Sequence, residues 1–370
     1  MNGAEALVRS LAGSGIDVCF TNPGTSEMHF VAALDRLDLI YCVLALQENV
    51  ATGAADGYAR MTGQPAATLL HLGPGFGNGL ANVHNAKKAR VPMINIVGEH
   101  ASYHIKYNAP LTSDIEAIVT PVSDYVVTSS HPDDVGTDAA RAVAQAKTWP
   151  GKIATMILPA DMAWSKTDIV GDGLLPDAPG RVVAEEVEAV AAALKSDKKA
   201  VMFCSGAVLI DPNLEKLGKV RAASGVDLIS QTSNRRIDRG AGRVVVDKLP
   251  YVVDLAIETL KDYDVIILVG TDEPVGFFAY PEKPSKLSPE GAEILRLAGP
   301  EQNTFEALDM LIDALDAKDL EVEVAAYEEA ADISKLSGPI TPEAISAAFH
   351  AHMPEDAIIC DESITTGRAF

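Results

Sequence analysis

Basic residues are scarce in this sequence: 30 Lys and Arg stand against 52 Asp and Glu, a formal net charge of -22 over 370 residues. Such a surface repels nucleic acid and anionic membrane, so neither is expected as a partner. An anionic ligand would need a local positive site, such as helix N-termini or a metal. Cysteine is sparse too. Cys19, Cys42, Cys204 and Cys360 lie far apart and form no CxxC pair, which argues against a disulfide framework and for a reduced, cytoplasmic setting. No apolar stretch approaches the length of a membrane span, and the opening MNGAEALVRSLAGSG lacks a charged-then-apolar signal design. A dinucleotide fingerprint is missing as well. The stretch HLGPGFGNG (71–79) is glycine-rich, but its spacing is wrong and no acid follows at the right distance.

What remains is ordinary globular material, 48% hydrophobic and 22% charged, with aromatics at only 5% and abundant Ala and Val, as suits layered α/β packing. Short apolar runs alternate with helical patterns, which predicts doubly wound parallel sheets. Helix 4–13, strand 16–20 and helix 28–37, with Ser26 as its N-cap, open the chain. A buried strand over 43–46 and a small-residue helix over 51–59 follow. Next come strand 66–70, a glycine-rich helix entrance over 71–79, helix 80–90, and strands 93–97 and 153–158. Residues 165–183 read as a Gly/Pro/Asp linker. A second unit has strands 200–204, 226–229 and 265–269 with helices 184–195 and 251–261. An acidic, Ala-rich connector (316–338) leads to helix 342–353 and strand 357–360. So short a third unit cannot bury a core, and the chain is expected to be part of something longer.

Chemistry in open α/β sheets gathers where a strand's carboxyl end hands over to a helix. Glu48 stands at such a point. A positive helix end favours its ionised form and burial favours the neutral one, so it could share a proton with a ligand. The same spacing also suits an ordinary first-turn acid. The loop Thr21 to Glu27 places hydroxyls at a helix start, as an ordinary capped loop also would. Gly171-Asp172-Gly173 can open a metal–diphosphate motif, but no Asn follows until Asn213 and no strand–helix frame surrounds it, so no metal ligand is assigned here. His100 and His104, spaced i, i+4 beside Glu99, have zinc-like spacing without an obvious third ligand, and lining an entrance is the preferred reading. Arg235, Arg236 and Arg239 are read as a solvated basic loop rather than a phosphate site.

NPGTSE at 22–27, LQENVATGAADGYAR at 46–60, HLGPGFGN at 71–78, LPAD at 158–161 and DES at 361–363 together resemble the thiamine-diphosphate enzymes of the acetolactate synthase, benzoylformate decarboxylase and pyruvate oxidase family. The resemblance spans the chain with its motifs in order. It implies a pyrimidine-binding domain (1–165), a linker (166–183), a central Rossmann-like domain (184–330), and a connector with the start of a diphosphate-binding domain (331–370). It implies thiamine diphosphate with Mg²⁺, the metal ligands falling beyond residue 370, and a homodimer or homotetramer, since the family's cofactor sits between subunits. A flavin in the central domain is not expected. Glu48 matches the activating glutamate, which hydrogen-bonds the aminopyrimidine ring nitrogen so that the ring can take the thiazolium proton. His71 matches a histidine that handles substrate protons in benzoylformate decarboxylase. Pro23, Gly24, Gly75 and Asn78 are implied at the cofactor ring, and Ser363 and Thr365 at the diphosphate. Thr25, Ser26, His71 and Phe278 are implied at the substrate. Phe278 departs from the pattern, standing where that decarboxylase has a second histidine. The implied activity is decarboxylation or carboligation of a small 2-oxo acid, acetolactate synthase-like. A benzoylformate decarboxylase-like lyase, a non-catalytic cofactor-free fragment or regulatory paralogue, and a nucleotide-binding central domain are the alternatives.

Overall fold

The computed structural model describes residues 1–327, 329, 332–363 and 366. They divide into two compact units, Met1–Asp238 with Val246–Val322, and Arg239–Val245 with the chain from Glu323 onward.

The larger unit holds two parallel sheets. The first is assembled from α1 (Gly3–Gly13), β1 (Val18–Asn22), α2 (Met28–Leu37), β2 (Tyr41–Leu44), α3 (Glu48–Thr62), β3 (Ala66–Leu70), α4 (Leu72–Lys88), β4 (Met93–Glu99), α5 (Ile115–Val119), β5 (Tyr125–Thr128), α6 (Val135–Lys147), β6 (Ile153–Pro159) and α7 (Ala160–Trp164). Its strand order is β2-β1-β3-β4-β6-β5. Every pairing is parallel. Alternate residues of the central strands feed two cores. Cys19, Ala67, Leu69, Ile94, Ile96 and Met156 pack under α1, α2 and α6. Ala66, Leu70, Met93, Val97, Ile153 and Ile157 pack under α3, α4 and α5. A sheet covered on both faces needs continuous apolar strands, and β3, β4 and β6 are buried at every residue.

β2 departs from expectation. The run Val43 to Leu46 reads as a buried strand, yet β2 lies at the sheet edge, Leu44 is 68% exposed, and Leu46 falls beyond the strand. Apolar composition reports what a strand can pack against, not whether this chain supplies the partner. The 71–79 stretch also differs: it is the start of α4, with the Gly75 N–H bonded to His71 O at 2.8 Å. Its glycines serve close approach. A Cβ on Gly79 would fall 2.8 Å from Thr52 Cγ2, across the α3–α4 contact. Ser26 is not a cap either. Thr25–Glu27 forms a 3₁₀ turn and Glu27 takes the N-cap position of α2.

The second sheet follows α8 (Ala184–Leu194), with β7 (Ala200–Cys204), α9 (Asn213–Ser224), β8 (Asp227–Ser230), β9 (Asp247–Lys248), α10 (Val253–Leu260), β10 (Val265–Val269), β11 (Glu293–Ala298) and α11 (Thr304–Ala314). Its order is β11-β10-β7-β8-β9. The 165–183 segment is pinned rather than loose. Gly171 N–H donates to Ser10 Oγ at 2.8 Å, and a Cβ there would sit 2.1 Å from Gly136 O, so the Gly-Asp-Gly triplet packs against α6. Arginines join the two sheets. Arg236 Nη1 donates to Met61 O in the last turn of α3 at 3.0 Å and its Nε bonds Asp238 at 3.0 Å. Arg60 donates to Arg235 O at 3.0 Å, and Arg235 Nη1 reaches Arg90 O and Pro150 O. Arg235 and Arg236 are therefore bound to carbonyls, not solvated. Arg90–Asp272, at 3.6 Å and largely exposed, adds little beside them.

In the smaller unit α12 (Pro342–His352) starts at Thr341, whose hydroxyl accepts from Ala344 N. The expected strand over 357–360 does not form; these residues are exposed and irregular. A strand exists only in a ladder, and no described residue pairs with them. Among the described residues no helix is long and apolar enough to cross a membrane.

Arg236→Met removes one charged-donor bond between the sheets, to Met61 O, and a local one to Asp238. It should lower unfolding stability by about 2 kcal/mol in urea denaturation; an unchanged midpoint would mean the arginine seam carries no weight.

Candidate active site

The carboxyl ends of β1, β3, β4 and β6 converge on one edge of the first sheet. Gln47 caps α3 with its side-chain oxygen, accepting from Asn49 N at 2.7 Å and Val50 N at 3.3 Å. That leaves the Glu48 side chain, at the first helical position, free of capping duty. Glu48 is 9% exposed, and its Oε2 accepts from Asn78 Nδ2 at 3.0 Å. Gly75 backs it: a Cβ there would fall 3.2 Å from Glu48 Oε1. The carboxylate therefore has one protein donor and keeps acceptor capacity for a ligand.

His71 follows β3 and takes the N-cap position of α4. Leu72, the first residue of α4 and fully buried, takes a left-handed φ of 53°. A branched residue there costs about 1–2 kcal/mol, strain of the kind that persists at functional sites. His71 Nδ1 lies 2.8 Å from Glu27 Oε2, which also accepts from Gly24 N at 2.7 Å. A carboxylate facing Nδ1 fixes the proton on that nitrogen and leaves Nε2 as the acceptor of the neutral ring. Glu27 is 3% exposed and its Oε1 is buried without a partner, pressed over Gly98. Sequence reasoning passed over Glu27. Its signal was the three-residue step from Gly24 inside NPGTSE, which reads as a cap. The close approach of Gly98 and the strain at Leu72 have no sequence signal.

Pro23 and Gly24 run past His71, and a Cβ on Gly24 would meet the imidazole at 2.3 Å. Thr25 is exposed and Ser26 half-buried, and among the described residues neither hydroxyl is hydrogen-bonded. The structure thus brings together Pro23, Gly24, Glu48, His71, Gly75 and Asn78, with Thr25 and Ser26 on the adjoining turn. Phe278 is not among them. It stands in the second sheet's long loop, 57% exposed and packed on Phe277 at 5.0 Å. Ser363 belongs to the smaller unit, where its N–H and hydroxyl both donate to Asp361 Oδ1. Thr365 lies outside the described residues.

At the ends of β4 and β6, Asp161 accepts from Ser102 N at 2.9 Å and from Ser102 Oγ at 2.5 Å. The His100 and His104 rings lie 5.7 Å apart, tilted by 60°, on a turn rather than a helix. Among the described residues no three His, Cys, Asp or Glu side chains gather as a metal site. Burial holds the Glu99 carboxyl above the usual carboxylate range, against the opposing pull of the His100 N–H.

The family model for the thiamine pyrophosphate enzymes' N-terminal TPP binding domain matches residues 1–118. A Mycobacterium tuberculosis protein provisionally named acetolactate synthase large subunit IlvX is 44% identical over 367 residues, covering 99% of this chain and 70% of that one. The acetolactate synthase large subunit of Corynebacterium glutamicum is 29% identical over 236 residues, covering 62% of this chain and only 37% of its own. Among solved structures, the thiamine diphosphate-dependent 4-hydroxybenzoylformate decarboxylase of Rhodococcus jostii superposes with a TM-score of 0.76 at 19% identity, covering 97% of this chain and 70% of that one. At that identity the likeness is one of fold.

Gly24→Ala should drive the imidazole off its seat. We expect a stability loss of about 1–3 kcal/mol and a moved His71 ring resonance by NMR; an unmoved resonance would contradict the contact. For Glu99 the sign follows from burial. The folded carboxyl holds its proton more tightly than the unfolded one, so stability is full below the ordinary carboxylate range and falls as pH rises through the folded value. Glu99→Gln should melt above the wild type at neutral pH and converge with it near about pH 4; a variant that melts lower at neutral pH would reverse that assignment.

Proposed function

Since the chain belongs to the thiamine-diphosphate-dependent enzymes of the acetolactate synthase, benzoylformate decarboxylase and pyruvate oxidase family, we propose that it is a 2-oxo acid decarboxylase or carboligase of the acetolactate synthase type. It spans 70% of its relative's length, and the proposal concerns the whole protein. The observation that carries it is the half-satisfied Glu48 carboxylate: buried, oriented by Asn78, and backed by a glycine that leaves room at its other oxygen.

The residues present fit the pyrimidine end of the cofactor. Gly75 and Gly24 keep the floor flat where a side chain would intrude, and the carboxylate offers an acceptor to a ring N–H. Bound there, thiamine diphosphate would supply a nucleophilic carbon and a cationic ring able to hold the electron pair left behind when carbon dioxide departs from a 2-oxo acid. Glu48 holds a proton against the ring nitrogen. Asn78 keeps that carboxyl in one orientation. His71, its Nδ1 proton fixed by Glu27, presents Nε2 to accept or return a proton at the substrate. Thr25 and Ser26 offer hydroxyls to the substrate carboxylate. Ser363 and Thr365 remain proposed contacts of the diphosphate, with Mg²⁺ on ligands outside this chain's residues.

Leu46 and Val50, either side of Glu48, are 93% and 58% exposed, which supports a second copy of the chain covering the cofactor, as homodimer or homotetramer. The buttressed His71 favours a second reading, a benzoylformate decarboxylase-like lyase. A panel of 2-oxo acids with thiamine diphosphate and Mg²⁺, scored for carbon dioxide and for coupled products, separates the two. In the same assay Glu48→Gln should lose at least ~10²-fold in turnover with its melting temperature retained. Undiminished turnover in that variant would remove the proposal.

A further inference from the structure

Two of the four cysteines face each other. In the parallel register of β1 and β2, Cys19 is the direct partner of Cys42. Adjacent strands run about 4.8 Å apart, so the Cα separation falls inside the range of roughly 4.4–6.8 Å that a disulfide spans. The side chains share a sheet face. Cys42 S–H donates to Thr21 Oγ1 at 3.8 Å, and Thr21 follows Cys19 by two residues on the same strand. Both thiols are free, Cys19 buried and Cys42 exposed.

We propose that Cys19 and Cys42 form a reversible cross-strand disulfide when the protein meets hydrogen peroxide. The exposed Cys42 sulfur attacks the peroxide; the O–O bond breaks, one water leaves, and Cys42 becomes a sulfenic acid. The Cys19 sulfur then displaces the hydroxyl, which leaves as a second water with the Cys19 proton. Two thiols are oxidised and one peroxide is reduced to two waters. The order of events follows from burial. Desolvation, and after it the neighbouring Cys42, push the Cys19 thiol up, so Cys19 is a poor first nucleophile but a resolving group already in place. β2 can adjust, because it is laddered on one side only. Parallel strands hold their Cβ atoms wider than a relaxed disulfide prefers, which makes the bond easily reduced. The cross-link joins the strand that delivers Pro23 and Gly24 to the strand that delivers Glu48. It does not depend on the cofactor reading, since thiols are read directly.

The test is peptide mapping under non-reducing conditions of the native assembly after hydrogen peroxide. We expect loss of two titratable thiols, a mass lower by about 2 Da, a linked pair of peptides carrying Cys19 and Cys42, and reversal by dithiothreitol. Cys42→Ser should give no linked pair. Cys42 recovered as a sulfinic acid beside a free Cys19, linkage of Cys42 to Cys360 or to another chain, or intact thiols at peroxide doses that oxidise dithiothreitol would each overturn the proposal.

Discussion

A buried carboxylate must be met by donors, and the first sheet is arranged around two that are met only in part. Glu27 is held by the Gly24 N–H and the His71 ring, with its second oxygen unpartnered over Gly98. Glu48 is held by Asn78 alone. An unsatisfied buried acceptor costs on the order of 1–3 kcal/mol, more when charged. Both costs fall at the carboxyl ends of parallel strands, where helix N-termini supply compensating positive potential. The fold therefore tolerates these acids only at the edge where it can also present them to a ligand. The strain at Leu72 belongs to the same place, since it turns the chain so that His71 faces Glu27 while α4 begins at once.

Much of this edge was legible in the residues. β3, β7 and β10 fall where apolar runs predict them, and α2 spans 28–37 as its spacing requires. Glu48 could be located because a strand-then-small-residue-helix transition is a local pattern. The errors have one origin. β2 was read as buried because its side chains are apolar, but burial is decided by what lies beside a strand. The same limit explains the strand expected over 357–360. The glycines of 73–79 looked like loop residues because glycine permits loops. Here they permit approach of α3, the 109–114 segment and Glu48 to a continuous helix, a choice made by neighbours distant in sequence. β5, α6 and β11 went unread.

The arginine seam shows how two nominally independent sheets share stability. Met61 O lies in the last turn of α3 and would otherwise face solvent or another donor. A guanidinium from the second sheet supplies one. The helix that begins at Glu48 is thus held at one end by its own Gln47 and at the other by Arg236, from the loop after β8. A basic loop in an acidic chain looks, from composition, like a place for phosphate. Its geometry instead turns an Nη1 of Arg235 and of Arg236 onto backbone carbonyls of Arg90, Pro150 and Met61.

The candidate site is lopsided, and that follows from the same accounting. The hydrogen-bond partners of Glu48 and His71, Asn78 and Glu27, belong to the first sheet's layers, while Phe278 stands in a loop of the second, packed on Phe277. Leu46 and Val50 present apolar surface beside a carboxylate, where water is a poor solvent for both neighbours. Proton exchange between a carboxyl and a heteroaromatic nitrogen is strongest where water is excluded, because the local dielectric sets the strength of each charge–dipole contact. The first sheet supplies the acid and its orientation but not the lid. On the proposed function, a surface that shields Glu48 would also cover Leu46 and Val50, so cofactor enclosure and burial of that apolar pair would be one event rather than two.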